Sequence, residues 1–379
     1  MPTGHPIETP IVFVWDNFGP MHNDRCEAVA CFTKRRVIGL EMYQSSDTYD
    51  WVSNEADAFE RLTLMPGNRR GQRLAILRAM LRARRKIGKA DWFLCHYERP
   101  EIFLFAMALR LFGQRVFTMG CSKFDDLPRR AYREYFKSWW MKPYCGAIGS
   151  GYRSKAYLEF QGIAAGKVRG EYNTLSIDRI ISLAGTAPAP AGIPFSDRDF
   201  TIVARFVPKK NLFMALEAFS IFARSAQSNR RLDLCGSGEL EMQLREKVQS
   251  LGLTDRVIFH GFVQSDGVAR VLAKSLALLL PSVEEQFGNV VIEAQAMGLP
   301  VILSDNCGAR DLLVRSGVNG FVIEPDNPEG MAYFMGLMDR DRSLWERMCR
   351  AAGAAAPKGD VARFAEGVQA LCGGLGPAA

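Results

Sequence analysis

The chain has 379 residues, 48% of them hydrophobic, and a formal net charge of +7, enough length and apolar material for two domains with cores of their own. No run of eighteen apolar residues occurs, so no membrane-spanning helix is expected, and residues 1–10 are polar and carry Glu8, unlike a secretory signal. Nine scattered cysteines without a Cys-x-x-Cys pair fit reduced thiols in a cytoplasmic protein, and four histidines without ligand spacing argue against a zinc site.

The charge is uneven. Residues 1–190 hold 28 Lys and Arg against 19 Asp and Glu, and the remainder holds 20 against 22. In chain order, Ile11–Trp15 is predicted as a buried strand, residues 16–20 as a glycine turn and residues 22–32 as a helix. In such a unit Gly19 either lets backbone approach a phosphate or only makes the turn, and His22 and Arg25 project near the same mouth. Further strands are expected at 36–40, 62–65, 92–95, 116–119 and 147–148, with helices between the later ones, giving an open and mainly parallel sheet.

Residues 69–89 contain nine Lys or Arg and no acid. On a helix Arg78, Arg82, Arg85 and Lys89 share one face while Leu74, Leu77 and Leu81 fall on another. Residues 129–142 interleave cations with Trp139 and Trp140, and over residues 61–142 the count is 19 basic against 6 acidic. A basic amphipathic helix beside exposed aromatics is the pattern of an anionic membrane surface binder. Nucleic acid would feel the same field, and a solvated basic face with the tryptophans in the core is the plain alternative.

Residues 167–174 are expected to close the first domain, and residues 185–194, rich in Pro, Gly and Ala, read as a linker. The domains drawn this way are 1–180, a linker 181–197, a second domain 198–358, and a terminal helix and tail over 359–379 that can return to the first domain. In the second half strands are expected at 200–204, 232–235, 257–259, 276–280, 300–303 and 320–323. Helices are expected between and after them, near 211–225, 239–251, 266–274, 289–297, 309–315 and 328–340. This alternation means a second parallel sheet covered on both faces, with ligands beyond the carboxyl ends of its strands. That rule selects Arg205, Gly236 to Gly238, His260, and residues 282–288 and 304–307 as one rim. Gly236-Ser-Gly238 is a weak dinucleotide signal, because Glu241 stands where a third glycine belongs.

Arg205 ends a strand and Lys210 stands five residues on, so both cations can converge on an anion at the rim. Glu285 lies in the loop before a helix and Glu293 about one turn inside it, with helix-start N–H groups between them. On spacing alone, a carboxylate in a first helical turn is a favourable dipole contact and no more.

Five motifs in order resemble those of the retaining glycosyltransferases of family four: residues 204–211, 234–238, 257–262, 285–293 and 298–301, over roughly 198–335. The resemblance in the first half is limited to residues 11–19 and 168–173. It implies an α/β fold of the GT-B architecture, two facing Rossmann-like domains with a cleft between them. It further implies that Glu285 contacts donor-sugar hydroxyls, Glu293 the ribose hydroxyls, and Arg205 and Lys210 the diphosphate. The N–H groups of Phe287, Gly288, Asn289 and Val290 would bind phosphate, Gly236 and Gly238 would belong to the same donor rim, and Gly19 would face the diphosphate from the other domain. No metal or cofactor is implied, the nucleotide sugar being a co-substrate. Relatives often have a histidine near residues 116–120, where this chain has Met119-Gly120-Cys121. His22 and His96 are candidates for that contact and, with Arg25, make up the expected acceptor side.

The implied function is sugar transfer with retention from a nucleotide sugar, UDP favoured over GDP, to a glycan or lipid-linked acceptor in bacterial-type polysaccharide or glycoconjugate assembly. It would act on the inner face of the plasma membrane, bound through 69–89 and 129–142. A nucleotide-sugar epimerase of similar fold is an alternative. A basic nucleic-acid-binding protein is another, but it leaves the rim unexplained, so no nucleic-acid partner is expected.

Overall fold

The computed structural model describes residues 9–44, 58–66, 72–126, 128–225 and 228–373, so residues 69–71 of the first basic stretch and the tail 374–379 lie outside the described residues. The chain forms two compact units, one running to Thr174 and resuming at Val361, the other spanning Leu175–Asp360.

The first unit begins with β1 (Ile11–Trp15), α1 (Pro20–Thr33), β2 (Val37–Tyr43) and β3 (Glu60–Met65). It continues with α2 (Arg73–Ile87), β4 (Asp91–Leu94), α3 (Pro100–Leu111), β5 (Arg115–Gly120), α4 (Ala131–Trp140), β6 (Gly146–Gly149), α5 (Gly151–Phe160) and β7 (Val168–Arg169). The sheet is parallel throughout in the order β3-β2-β1-β4-β5-β6-β7. β1 shows no alternation because both of its faces are covered: Val12 and Val14 enter one core, and Ile11, Phe13 and Trp15 the other. On the first face Ile76 and Met80 of α2 and Ile102 and Phe105 of α3 close the core. The stripe of α2 that is buried is Ile76, Met80 and Ala83. The leucines placed on the face away from the cations do not form it: Leu74 is 68% exposed, and Leu77 and Leu81 are only partly buried.

The second unit holds α6 (Ile177–Ala184), β8 (Asp199–Val203), α7 (Leu212–Ser225), β9 (Leu232–Cys235), α8 (Glu241–Ser250), β10 (Val257–Gly261) and α9 (Ser265–Ala273). After these come β11 (Ser275–Leu280), α10 (Val290–Ala296), β12 (Val301–Ser304), α11 (Arg310–Leu313), β13 (Gly320–Ile323), α12 (Pro328–Arg340) and α13 (Arg342–Ala355). Its parallel sheet has the order β10-β9-β8-β11-β12-β13. α14 (Val361–Cys372) then rejoins the first unit, where Phe364 and Val368 share the core of Cys26 and Val29 on α1 and Arg115 Nη1 donates to the Cys372 carbonyl at 2.6 Å.

The stretch 185–194, expected as the linker between domains, lies inside the second unit. α6 before it packs on α9 and α10, and the Ala189 N–H donates to the Met297 carbonyl at 2.9 Å. The helix α13 has a legible 3.6-residue stripe in Trp345, Met348, Cys349 and Ala352, all buried, although the sequence reading placed no element there. Trp345 Nε1 donates to the Leu276 carbonyl at 2.8 Å, which fixes α13 against β11.

Candidate active site

In the second unit the strand order reverses between β8 and β11, and the loops that leave these two neighbours carry the expected residues. A crevice beyond the carboxyl ends of such strands is where this topology accepts a ligand. Arg205 leaves β8 and is exposed. The chain then makes a short turn over Pro208–Lys210 and reaches Asn211 at φ 56°, a left-handed conformation that asparagine tolerates. Asn211 Nδ2 donates to the carbonyls of Pro281, at 3.2 Å, and Pro325, at 2.6 Å, while the Val283 N–H donates to the Lys209 carbonyl at 2.9 Å. These bonds fasten the β8 loop to the β11 loop and bring Lys210 to Glu285.

The Lys210 ammonium is ion-paired with the Glu285 carboxylate, the two side chains being 14% and 15% exposed. The sequence reading gave them separate partners, the diphosphate and the sugar. Each is the other's counter-ion, an arrangement that holds both in place at modest net stability. Ser282 Oγ lies 3.4 Å from the same carboxylate, and the Gly308 N–H donates to the Glu285 carbonyl at 3.2 Å.

Gly288 has φ +101°, and a Cβ there would lie 3.1 Å from both Cys307 Sγ and Leu280 Cδ2. Only glycine turns the chain this way. The Phe287 side chain is buried, and its carbonyl accepts from the Ala309 N–H at 2.8 Å and Cys307 Sγ at 2.9 Å, so Phe287 offers a ligand its N–H and not its ring. Among the described residues the N–H groups of Phe287, Gly288 and Val290 donate to no backbone carbonyl. α10 starts there, and Glu293 lies in its first turn.

Glu293 is largely enclosed, and loss of hydration raises its pKa from 4.5 to about 7, with Arg179 pulling weakly the other way. A carboxyl with a raised pKa is protonated below about pH 7, and a pair of ribose hydroxyls prefers the charged, acceptor-only form. If Glu293 meets ribose hydroxyls, as the resemblance implies, nucleotide affinity should rise roughly tenfold per pH unit on approaching neutrality from below and level off above it. Calorimetric titration of UDP across pH 5.5 to 8 checks this, and Glu293→Gln should flatten the profile. A profile of the same slope in that variant would assign the proton elsewhere.

Gly236 and Gly238 have φ of +146° and +157°. A Cβ on Gly236 would fall 1.8 Å from the Ala204 carbonyl oxygen, and one on Gly238 2.5 Å from that of Phe206. Phe206 N–H donates to Ser237 O at 2.8 Å and Gly236 N–H to Gly261 O at 2.7 Å, so close backbone packing beside Arg205 accounts for both glycines. His260, on the same rim, bonds Asp233 Oδ1 through Nε2 at 2.7 Å.

In the first unit the order reverses between β1 and β4. Gly19, the glycine expected to face the diphosphate, follows β1, and its N–H donates to His22 Nδ1 at 2.9 Å. His22 packs on the rings of Trp15 and Phe18 at 4.7 and 5.7 Å, and burial, with Arg25 adding to it, drives its pKa well below 6.5. It is a neutral imidazole that caps its own loop. His96 follows β4 in a left-handed conformation at φ 60°, with Nδ1 3.4 Å from Glu98.

Arg25 does not project from the mouth as expected. It is 2% exposed, lies 4.8 Å from the Tyr172 ring centre and donates to the Thr174 carbonyl at 3.3 Å, so it braces the interior and is closed to an acceptor. At the strand ends the sequence reading missed a polar network. Trp15 Nε1 donates to the Tyr172 hydroxyl at 2.9 Å, which also meets Cys95 Sγ at 2.9 Å, and Asn173 Oδ1 accepts from Ser150 at 2.7 Å and Cys121 at 3.4 Å. Only tertiary proximity joins these residues, so no spacing announced them. Among the described residues no group of three His, Cys, Asp or Glu is arranged to hold a metal ion, and no helix is long and apolar enough to cross a membrane.

Residues 186–352 match the family model described as Glycosyl transferases group 1. An uncharacterized glycosyltransferase of Methanocaldococcus jannaschii is 29% identical over 154 residues, 41% of this chain and 38% of the relative. The D-inositol 3-phosphate glycosyltransferase of Streptomyces griseus is 38% identical over 120 residues, 31% of this chain and 25% of its own. The chain thus spans well under half the length of these curated relatives. Among solved structures, sucrose-phosphate synthase from Thermosynechococcus elongatus superposes with a TM-score of 0.73 at 17% identity, covering 96% of this chain and 98% of that one. The Anabaena protein HepE, in complex with UDP and glucose, gives 0.70 at 18%, covering 95% and 98%. The fold over nearly the whole chain is GT-B, built from two Rossmann-like domains.

Proposed function

We propose that this protein is a metal-independent glycosyltransferase that moves a sugar, with retention of anomeric configuration, from a nucleotide sugar to a glycan or lipid-linked acceptor. UDP is favoured over GDP as the donor nucleotide, since structural relatives include a protein in complex with UDP-glucose. Assembly of polysaccharide or glycoconjugate at the inner face of an anionic membrane is the setting that the basic first unit supports.

The observation that carries the reading is the convergence, at one switch point, of Arg205, the Lys210–Glu285 pair and the N–H groups that open α10. Charge grows on the leaving diphosphate as the glycosidic bond breaks, so fixed cations and N–H donors stabilise the transition state more than the ground state. Arg205 and Lys210 supply the cations, Glu285 orients the sugar hydroxyls and Glu293 holds the ribose.

A panel of UDP- and GDP-sugars, screened by thermal shift and then by donor turnover, tests the assignment. Arg205→Ala should weaken binding of UDP roughly 10- to 100-fold, the cost of a lost charge-assisted contact. Unchanged affinity in that variant would remove Arg205 from the donor site.

A further inference from the structure

The three helices α2, α3 and α4 sort their charges by depth. Their two acids, Glu101 and Glu134, are both buried, while Arg78, Arg82, Arg85, Arg110 and Arg133 are exposed. Between Glu101 and Arg110, α3 is apolar on both its inner and outer sides. Ile102, Phe105, Ala106 and Leu109 enter the core, and Leu104, Met107 and Leu111 on the other side are 40 to 81% exposed. A helix of that composition is ordinarily covered on both sides.

α4 is turned inside out. Tyr132, Tyr135, Phe136 and Trp139, at the i, i+3, i+4, i+7 spacing of a core face, point outward and are 51 to 62% exposed. The one residue α4 buries is Glu134, which accepts from the Tyr157 hydroxyl at 2.6 Å and Gln161 Nε2 at 2.7 Å, with Lys137 at 3.1 Å. Polar bonds hold the helix on, and its apolar face is left to something else. The two helices adjoin through the rings of Phe103 and Trp140, 4.6 Å apart, and α2 adjoins α3 through Arg84 lying 3.9 Å from the Phe112 ring centre.

We propose that α3 and α4 form one interfacial docking face by which the first unit lies on an anionic lipid bilayer, with the arginines of α2 on the lipid phosphates. This rests on the membrane-surface part of the function proposed above and is independent of the transfer chemistry. The sequence pointed to the cations of 69–89 and 129–142, and the structure adds α3, which lies between them and carries the largest aliphatic exposure. Tyrosine and tryptophan favour the headgroup level, where the ring is apolar and the polar tip stays wet. A second copy of this chain is disfavoured as the cover, because a two-fold contact would set the same arginines against each other.

The test is co-sedimentation of the full chain with vesicles of phosphatidylcholine alone and with phosphatidylglycerol added, at low and high salt. The protein should partition onto the anionic vesicles, less so as salt rises. The double variant Leu111→Ser/Phe136→Ser should lower that partitioning at least roughly tenfold at either salt, by removing buried apolar area. Arg78→Ser/Arg82→Ser should weaken binding chiefly at low salt. Both variants are surface changes and should keep the wild-type melting temperature and UDP affinity, so failure here would leave the donor reading standing. Equal partitioning of wild type and the apolar variant would overturn the proposal. So would a concentration-dependent dimer that the same variant dissolves with no vesicle binding at all, which would make a second copy the cover.

Discussion

Replacing Glu285 with glutamine should lower sugar transfer by roughly 10²- to 10³-fold while UDP binds at least as tightly as before. The split follows from the ion pair. Lys210 is paired with Glu285, so a diphosphate drawn to the ammonium would compete with that carboxylate. Glutamine keeps the shape and removes the competitor, and the electrostatic cost of drawing Lys210 toward phosphate falls. In the proposed function what is lost is a charged acceptor for sugar hydroxyls, whose bonds would tighten as the ring takes up positive charge, a loss felt in turnover more than in ground-state binding. Parallel measurement of UDP affinity and donor turnover decides the matter. An equal loss in both would reduce Glu285 to a prop for the β11 loop.

Gly236→Ala should cost about 3 kcal/mol or more of stability, the largest effect expected from any single added methyl group on the rim. The added Cβ would stand 1.8 Å from the Ala204 carbonyl oxygen and 2.9 Å from its carbon, which are backbone atoms tied to β9 by the Ala204 N–H bond to Cys235. Neither can swing away as a side-chain tip would, and φ +146° is itself unfavourable for alanine. Gly353, in the interior of α13 with nothing near its Cβ position, is the control. There alanine should add about 0.5–1 kcal/mol through helix propensity. Urea unfolding of both variants reads the difference, and a Gly236→Ala midpoint within error of wild type would remove the close-approach explanation for that glycine.

The fold was largely legible. Uninterrupted apolar runs such as Ile11–Trp15 and residues 276–280 mark strands covered on both faces, and the turn residues between them set the alternation that makes a parallel sheet. The placement of the rim residues was legible for a related reason. Arg205, Gly236, Glu285 and Gly288 all leave strand ends, and a parallel sheet sends every strand end to one rim. Less legible was which neighbour each residue would meet. Lys210 and Glu285 are 75 residues apart, and their pairing depends on β8 and β11 lying side by side, which the local sequence of neither loop states.

Where the sequence reading failed, the missing information was orientation. Arg25 sits at a helical position next to the mouth, and a small rotation decides whether a guanidinium faces solvent or the Tyr172 ring. For α4, by contrast, the exposed aromatics expected from the sequence are found, although its periodicity is that of a core helix and does not by itself say which way the apolar face points. The same limit hid the place of residues 185–194, since a Pro- and Gly-rich stretch looks alike between domains or folded against one, and the packing of α6 on α9 and α10 with the bond from Ala189 to Met297 distinguishes them. The sequence by itself determined the strands, the helices and the set of groups gathered at one sheet edge, because these follow from local pattern and from the geometry of parallel sheets. Tertiary structure alone decided that Lys210 holds Glu285 and that Arg25 turns inward to the Thr174 carbonyl, because each depends on contacts between segments far apart in the chain.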